Sequence, residues 1–216
     1  HNGVLFLDEL PEFARPTLEA LRQPLENGCI AVSRVNSHTV FPARFQLVAA
    51  MNPCRCGWYG HPSGRCRCSQ KDVEKYVRIS GPLLDRIDIQ IEVPAVSPWD
   101  LADVRPGESS DEIRKRVIAA REIQKKRFAA FGCPSLLTNS QLKGELLEQA
   151  AALDNEAKAL LLSYADRTAM SARAYHRTLR LARTIADLQN ENKLLRIHIA
   201  EALSLRWKTP DYKSRR

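Results

Sequence analysis

The feature that most constrains this chain is a proline-punctuated stretch, Pro94 to Gly107, which holds Pro94, Pro98 and Pro106 and shows no hydrophobic period. Before it, short apolar runs alternate with loops. After it, apolar residues recur at helical spacing in every segment. The change predicts two units: an α/β part over residues 1–96 and an all-helical part over 97–216. With 216 residues, 44% of them hydrophobic and 27% charged, the chain can bury a core without disulfide staples, which excludes a disordered tail, a collagen repeat and a coiled-coil rod. No apolar run approaches the roughly 20 residues of a bilayer span, and no charged start leads into an apolar signal segment. A cytoplasmic protein with no membrane partner is expected. His1 runs at once into an apolar segment, which reads as a fragment of a longer chain.

Within the first part, Val4–Leu7 is a continuous apolar run, as expected of a central parallel strand covered on both faces. Leu18, Leu21 and Leu25 recur at helical spacing over 15–26, and Asn27-Gly28 stops that helix. A hairpin with a polar tip at Val35-Asn36-Ser37 follows, then a second buried strand over 45–50. Residues 54–68 lack periodicity and read as an irregular insert. A short helix over 70–78 and a third strand over 87–93 complete the part. Beyond the linker, helices are expected at roughly 110–131, 139–150, 154–167, 171–189 and 192–206.

An apolar strand ending in Asp8-Glu9 has a use in nucleotide hydrolases, because ligands collect at the carboxyl ends of parallel strands. Asp8 would hold water on Mg²⁺ and Glu9 would polarise the attacking water; two surface acids opening a loop is the plain alternative. Asn52, at the end of the second strand, would lie beside that pair if the strands are neighbours. Arg86 is a charged fork suited to phosphate, or else the partner of Asp85 or Asp88. Arg173, Arg177 and Arg180 share one helix face, opposite Tyr175, Leu179, Ala182 and Ala186, and are therefore either solvated or aimed at phosphate.

VLFLDEL, a hairpin, LVAAMNPC, ISGPLLDRIDI and SARAYHRTLRLARTIADL occur in that order. Together they resemble the AAA+ ATPases of the magnesium-chelatase type, and most closely the ComM/YifB subgroup. The resemblance implies the C-terminal part of an AAA+ parallel-sheet ATPase domain followed by an all-α lid. It makes Asp8 and Glu9 the Walker B acids, Asn52 sensor 1, Arg86 the arginine finger and Arg173 sensor 2. ATP and Mg²⁺ are then the cofactors, with Asp8 and Arg173 helping to hold them. Residues 29–41 become a hairpin directed at DNA, with Arg34, Asn36 and His38 near its tip. A homo-hexameric helicase promoting branch migration in natural transformation is the implied activity. No G-x-x-x-x-G-K-[ST] motif occurs in these residues, so the phosphate-binding loop would lie upstream and the fragment alone should be inactive.

Four of the six cysteines form Cys54-x-Cys56 and Cys66-x-Cys68. In a reducing compartment this reads as a site for structural Zn²⁺ before a disulfide pair, although one intervening residue is fewer than usual. His61 is a spare ligand; Cys29 and Cys133 are isolated. Net charge is +8, and residues 171–216 hold 11 Lys/Arg against 4 Asp/Glu, which suits a polyanionic partner. The alternative functions are the ATPase subunit of a magnesium chelatase and a non-enzymatic zinc-bearing nucleic-acid module. The cysteine insert and the basic end favour DNA over porphyrin metallation.

Overall fold

The computed structural model describes residues 1–34, 37–61, 63–96, 99 and 107–206, apart from the side chains of Arg34 and Ser37. The chain forms two compact units, His1–Ile87 and the described residues from Asp88 on. The hairpin tip at 35–36 and most of the proline linker lie outside the described residues.

In the first unit, β1 (Gly3–Leu7) and β4 (Phe45–Ala49) pair in parallel, from Gly3 opposite Phe45 to Leu7 opposite Ala49. Between them run α1 (Arg15–Ala20), α2 (Arg22–Asn27) and the antiparallel hairpin β2 (Cys29–Arg34) and β3 (Ser37–Pro42). The single helix expected over 15–26 is two. Pro24 has no N–H, and its ring would meet the carbonyl of Ala20, where α1 stops. Gly28 ends α2 in the left-handed region (φ 67°), donating its N–H to Pro24 O at 2.8 Å. After the irregular insert come α3 (Gln70–Tyr76), capped reciprocally by Ser69 and Asp72, and the single turn α4 (Gly81–Leu84).

Two strand expectations are corrected. β1 is not covered on both faces: Val4 and Phe6 are 67% and 59% exposed, because among the described residues the sheet has only two strands and one packed side. Residues 87–93 form no strand, and Ile89, Ile91 and Val93 are exposed, since no described neighbour offers them a ladder. The core of this unit is small. Leu10, Leu18, Ile79 and Leu83 are buried, with Leu7, Leu25 and Met51 packed against them. That cluster ties the ends of β1 and β4 to the turn that carries Arg86.

The second unit is helical: α5 (Ser110–Ala130), α6 (Gly144–Ala150), α7 (Asn155–Arg167), α8 (Ala172–Leu188) and α9 (Arg196–Ser204). The helix expected from 139 divides into a 3-10 turn, Asn139–Gln141, and α6, because Leu142 and Lys143 are extended between them. Side-chain caps start three of the helices: Ser109, Asp154 and Ser171 accept from the N–H groups of Glu112, Ala157 and Ala174. Phe128, Leu142, Leu147, Leu161, Leu179, Leu194 and Ile199 form one buried core. No helix among the described residues is long and apolar enough to cross a membrane.

Candidate functional site

Parallel pairing fixes what lies beside what. Since Leu7 is opposite Ala49, both strands end at the same edge, and Asp8 and Glu9 leave it beside the segment that holds Asn52. The two strand ends are stitched together by Ala50 N–H to Leu7 O (2.9 Å) and Leu10 N–H to Ala50 O (3.0 Å). Asp8, Glu9 and Asn52 are all exposed. Glu9 takes left-handed backbone angles (φ 50°, ψ 48°), and its N–H donates to Asp8 Oδ1 at 2.9 Å. That turn keeps two consecutive acidic residues exposed at the strand edge. Tyr76 of α3 feels one of these acids: burial first, then the charges of Glu12 and Glu9, push its hydroxyl pKa up.

Arg86 has a partner that neither sequence alternative names, Glu26. Its guanidinium is turned inward, with a side chain only 5% exposed. One nitrogen donates to Pro82 O at 2.5 Å and another to the carboxylate of Glu26. Nothing local in the sequence signals a partner 60 residues away.

In the second unit the arginine stripe of α8 is mostly occupied, contrary to the expectation that it is solvated or aimed at phosphate. Arg177 donates to Asp88 Oδ1 at 2.6 Å, and Arg180 donates to Leu142 O at 3.1 Å. Burial, then the neighbouring Arg177, lowers the pKa of Arg180. Arg173, in the first turn of α8, is exposed. Sequence reasoning missed the network one turn further along. The carboxylate of Asp187 accepts from Arg127, from Arg183 Nε at 3.0 Å and from Asn139 Nδ2 at 2.8 Å, and is itself only 1% exposed. The i,i+4 spacing of Arg183 and Asp187 was the available signal.

The hairpin presents His38, whose Nδ1 lies 2.8 Å from Ser33 Oγ across the ladder. Arg34 and Ser37 close the described register, and Asn36 lies outside the described residues.

The four cysteines converge. Cys54 Sγ lies 3.3 Å from Cys56 Sγ and 3.8 Å from Cys66 Sγ, the Cys56 and Cys66 sulfurs are 3.6 Å apart, and all four sit within 4.8 Å of one another. Four thiolates about 2.3 Å from a central Zn²⁺ would be about 3.8 Å apart at the edges of the tetrahedron. The short loop therefore already has the span that a metal would need. The thiols split as crowded acids do: the Trp58 backbone N–H and Cys54 pull Cys56 down to about 6. Cys66 is pushed up to about 12, as desolvation and the Cys56 and Cys54 sulfurs outweigh the backbone N–H of Cys68. His61 is not part of the cluster of converging ligand atoms, and its Nδ1 pairs with Ser63 Oγ at 2.7 Å.

A parallel strand pair with acids at its carboxyl edge and a separate helical unit are the parts of an AAA+ domain followed by a helical lid. Comparison with known families agrees. The model of magnesium chelatase subunit ChlI matches residues 1–101, and that of its C-terminal part matches residues 107–206. The chain belongs to this magnesium-chelatase-type family of AAA+ ATPases, in the ComM/YifB subgroup. It is 45% identical over 207 residues to competence protein ComM of Haemophilus influenzae, covering 95% of this chain and 39% of that protein. With the uncharacterised YifB of Escherichia coli the identity is 44% over 208 residues, again 95% and 39%. DNA replication licensing factor mcm6 of Dictyostelium discoideum is 23% identical over 220 residues, 94% of this chain and 23% of that protein. The chain thus spans about two fifths of its nearer curated relatives.

Proposed function

We propose that this chain is the hydrolytic edge and lid of an ATP-driven motor that acts on DNA in the cytoplasm, a ComM-like hexameric branch-migration helicase serving natural transformation. The observation that carries it is the β1–β4 register, which sets Asp8-Glu9 beside Asn52 at one strand edge in a chain 45% identical to a competence protein. In this reading Asp8 holds the water shell of Mg²⁺, and Glu9 accepts a proton from the attacking water. Asn52 orients that water or the terminal phosphate. Bound Mg²⁺ and the phosphate-binding loop, which these residues do not include, would neutralise the triphosphate. Arg173 serves as the lid's phosphate sensor. Arg86 acts across a subunit boundary and has to exchange Glu26 for phosphate to do so. The hairpin, through Arg34, Asn36 and His38, tracks the DNA backbone. Cys54, Cys56, Cys66 and Cys68 hold a structural Zn²⁺.

Magnesium chelation is the competing reading, since the family model takes its name from that enzyme. It offers no use for a cationic cysteine insert. The test is Glu9→Gln in the full-length protein. ATP turnover is expected to fall at least a hundredfold while ATP stays bound, because the amide keeps the shape but cannot take a proton. An unchanged turnover rate sinks the assignment.

A further inference from the structure

The cysteine insert carries more than a metal site. Its residues 54–68 hold Arg55, Arg65 and Arg67 and no carboxylate, so it stays cationic around a thiolate centre. Three successive tight turns shape it: Gly57 N–H to Cys54 O (2.9 Å), His61 N–H to Trp58 O (3.1 Å) and Gly64 N–H to His61 O (3.1 Å). These turns lift Trp58 to the surface, where it remains 38% exposed although it is a large aromatic that a core would otherwise take. Its ring is held rather than loose. The Arg65 guanidinium lies 5.1 Å from the ring centroid, and His61 meets it edge-on at 4.9 Å. Trp58, Tyr59, His61, Gly64, Cys66 and Cys68 line an open concavity beside it.

We propose that this surface is a second DNA contact, one that binds single-stranded DNA by stacking a base on Trp58 while Arg65 and Arg67 take the adjacent phosphates. The inference rests on the DNA-motor reading and adds a site to it. Each part of the surface has a counterpart in the ligand. A rigid indole with a cation against it matches a base joined to a phosphate, and arginine can both stack and pair with that phosphate. A duplex keeps its base faces covered by their neighbours, so only an unpaired strand offers the π-face that Trp58 needs. The contact is indifferent to sequence because every base has such a face. The quartet's part is mechanical, since its two cysteine pairs fix both ends of the loop that carries the ring.

The test is fluorescence anisotropy of a labelled oligo-dT of about 20 nucleotides with the zinc-loaded chain, zinc content being checked in each variant. Trp58→Ala is expected to weaken binding about tenfold and Trp58→Phe about twofold or less, in line with stacking losses on alanine substitution. Affinity for a duplex of equal length should change little. Arg65→Ala combined with Arg67→Ala alters only exposed side chains; it should lower affinity about tenfold and flatten the salt dependence. Should Trp58→Ala lose zinc, this double variant decides. Wild-type affinity in the double variant or in zinc-loaded Trp58→Ala overturns the proposal, as does an equal loss on single strand and duplex. Such a result leaves the motor standing if DNA still stimulates ATP turnover by the full-length protein. Absence of both single-strand binding and stimulation removes the two readings together.

Discussion

Glu9 is the residue where local geometry and proposed chemistry meet. A left-handed backbone at a non-glycine residue costs on the order of 1–3 kcal/mol and persists only where its surroundings impose it, here the Asp8 carboxylate and the stitched strand ends. His198 is a buried counterpart in the helical unit. Its Nδ1 accepts the Leu195 N–H at 3.0 Å, so Nδ1 carries no proton and Nε2–H donates to Gln189 Oε1, also at 3.0 Å. Burial, then the nearby charge of Arg183, lowers its pKa. A folded pKa below the unfolded value of about 6.5 gives stability that is present above that value and lost as pH falls through the folded one. Acidification from pH 7 towards pH 5 should therefore lower the melting temperature of the helical unit, because a proton on Nδ1 displaces the Leu195 N–H at the start of α9. His198→Gln should flatten that slope; an equally steep slope in the variant would assign the acid sensitivity elsewhere.

At the scale of elements, α8 is held by charge as well as by apolar packing. Asp187→Ala would leave the Arg127 and Arg183 guanidiniums without their carboxylate in a buried setting, and breaking such a set costs about 3–5 kcal/mol. Urea unfolding followed by circular dichroism should show that loss, with Asp187→Asn falling between variant and wild type. A loss below about 1 kcal/mol would mean that water replaces the carboxylate. The cysteine insert depends on a different cohesion. Cys66→Ser combined with Cys68→Ser should remove close to one zinc per chain and expose residues 54–68 to hydrogen exchange, leaving α5–α9 protected. Metal analysis that finds no zinc in wild-type protein prepared without chelator would remove the site. Helices α5, α7, α8 and α9 were legible because recurrence of apolar residues at helical spacing is a local signal. The hairpin was legible from its alternation, and the irregular insert from its lack of any period. The exposure of β1 and the missing strand over 87–93 were not, because a strand depends on neighbours that its own residues do not specify. The acid pair and the cysteine quartet could be read from spacing. Glu26 facing Arg86 could not, since only the folded core around Leu18 and Leu83 brings those segments together.

For the whole molecule, the inward turn of Arg86 sets a condition on assembly. The arginine finger proposed for Arg86 would serve a neighbouring subunit, yet the group is nearly buried and paired with Glu26 of its own chain. In the proposed role the pair would exchange one charged partner for another when a neighbour's triphosphate arrives, and its breakage would be compensated only within an assembled ring. Hydrolysis should then depend on contributions from two subunits at each site, Glu9 from one and Arg86 from the next. Full-length Glu9→Gln and Arg86→Ala proteins are each expected to be nearly inactive, at about a hundredth of wild-type ATP turnover or less. Mixed and allowed to exchange subunits, they form some boundaries with an intact Glu9 facing an intact Arg86. Turnover at equal mixing should recover to several times that of either variant alone, and a titration of one variant into the other should pass through a maximum. A flat response at every ratio, with subunit exchange verified by labelled subunits, would mean that Arg86 acts within its own chain. Its bonds to Glu26 and Pro82 O would then serve the fold of its own chain.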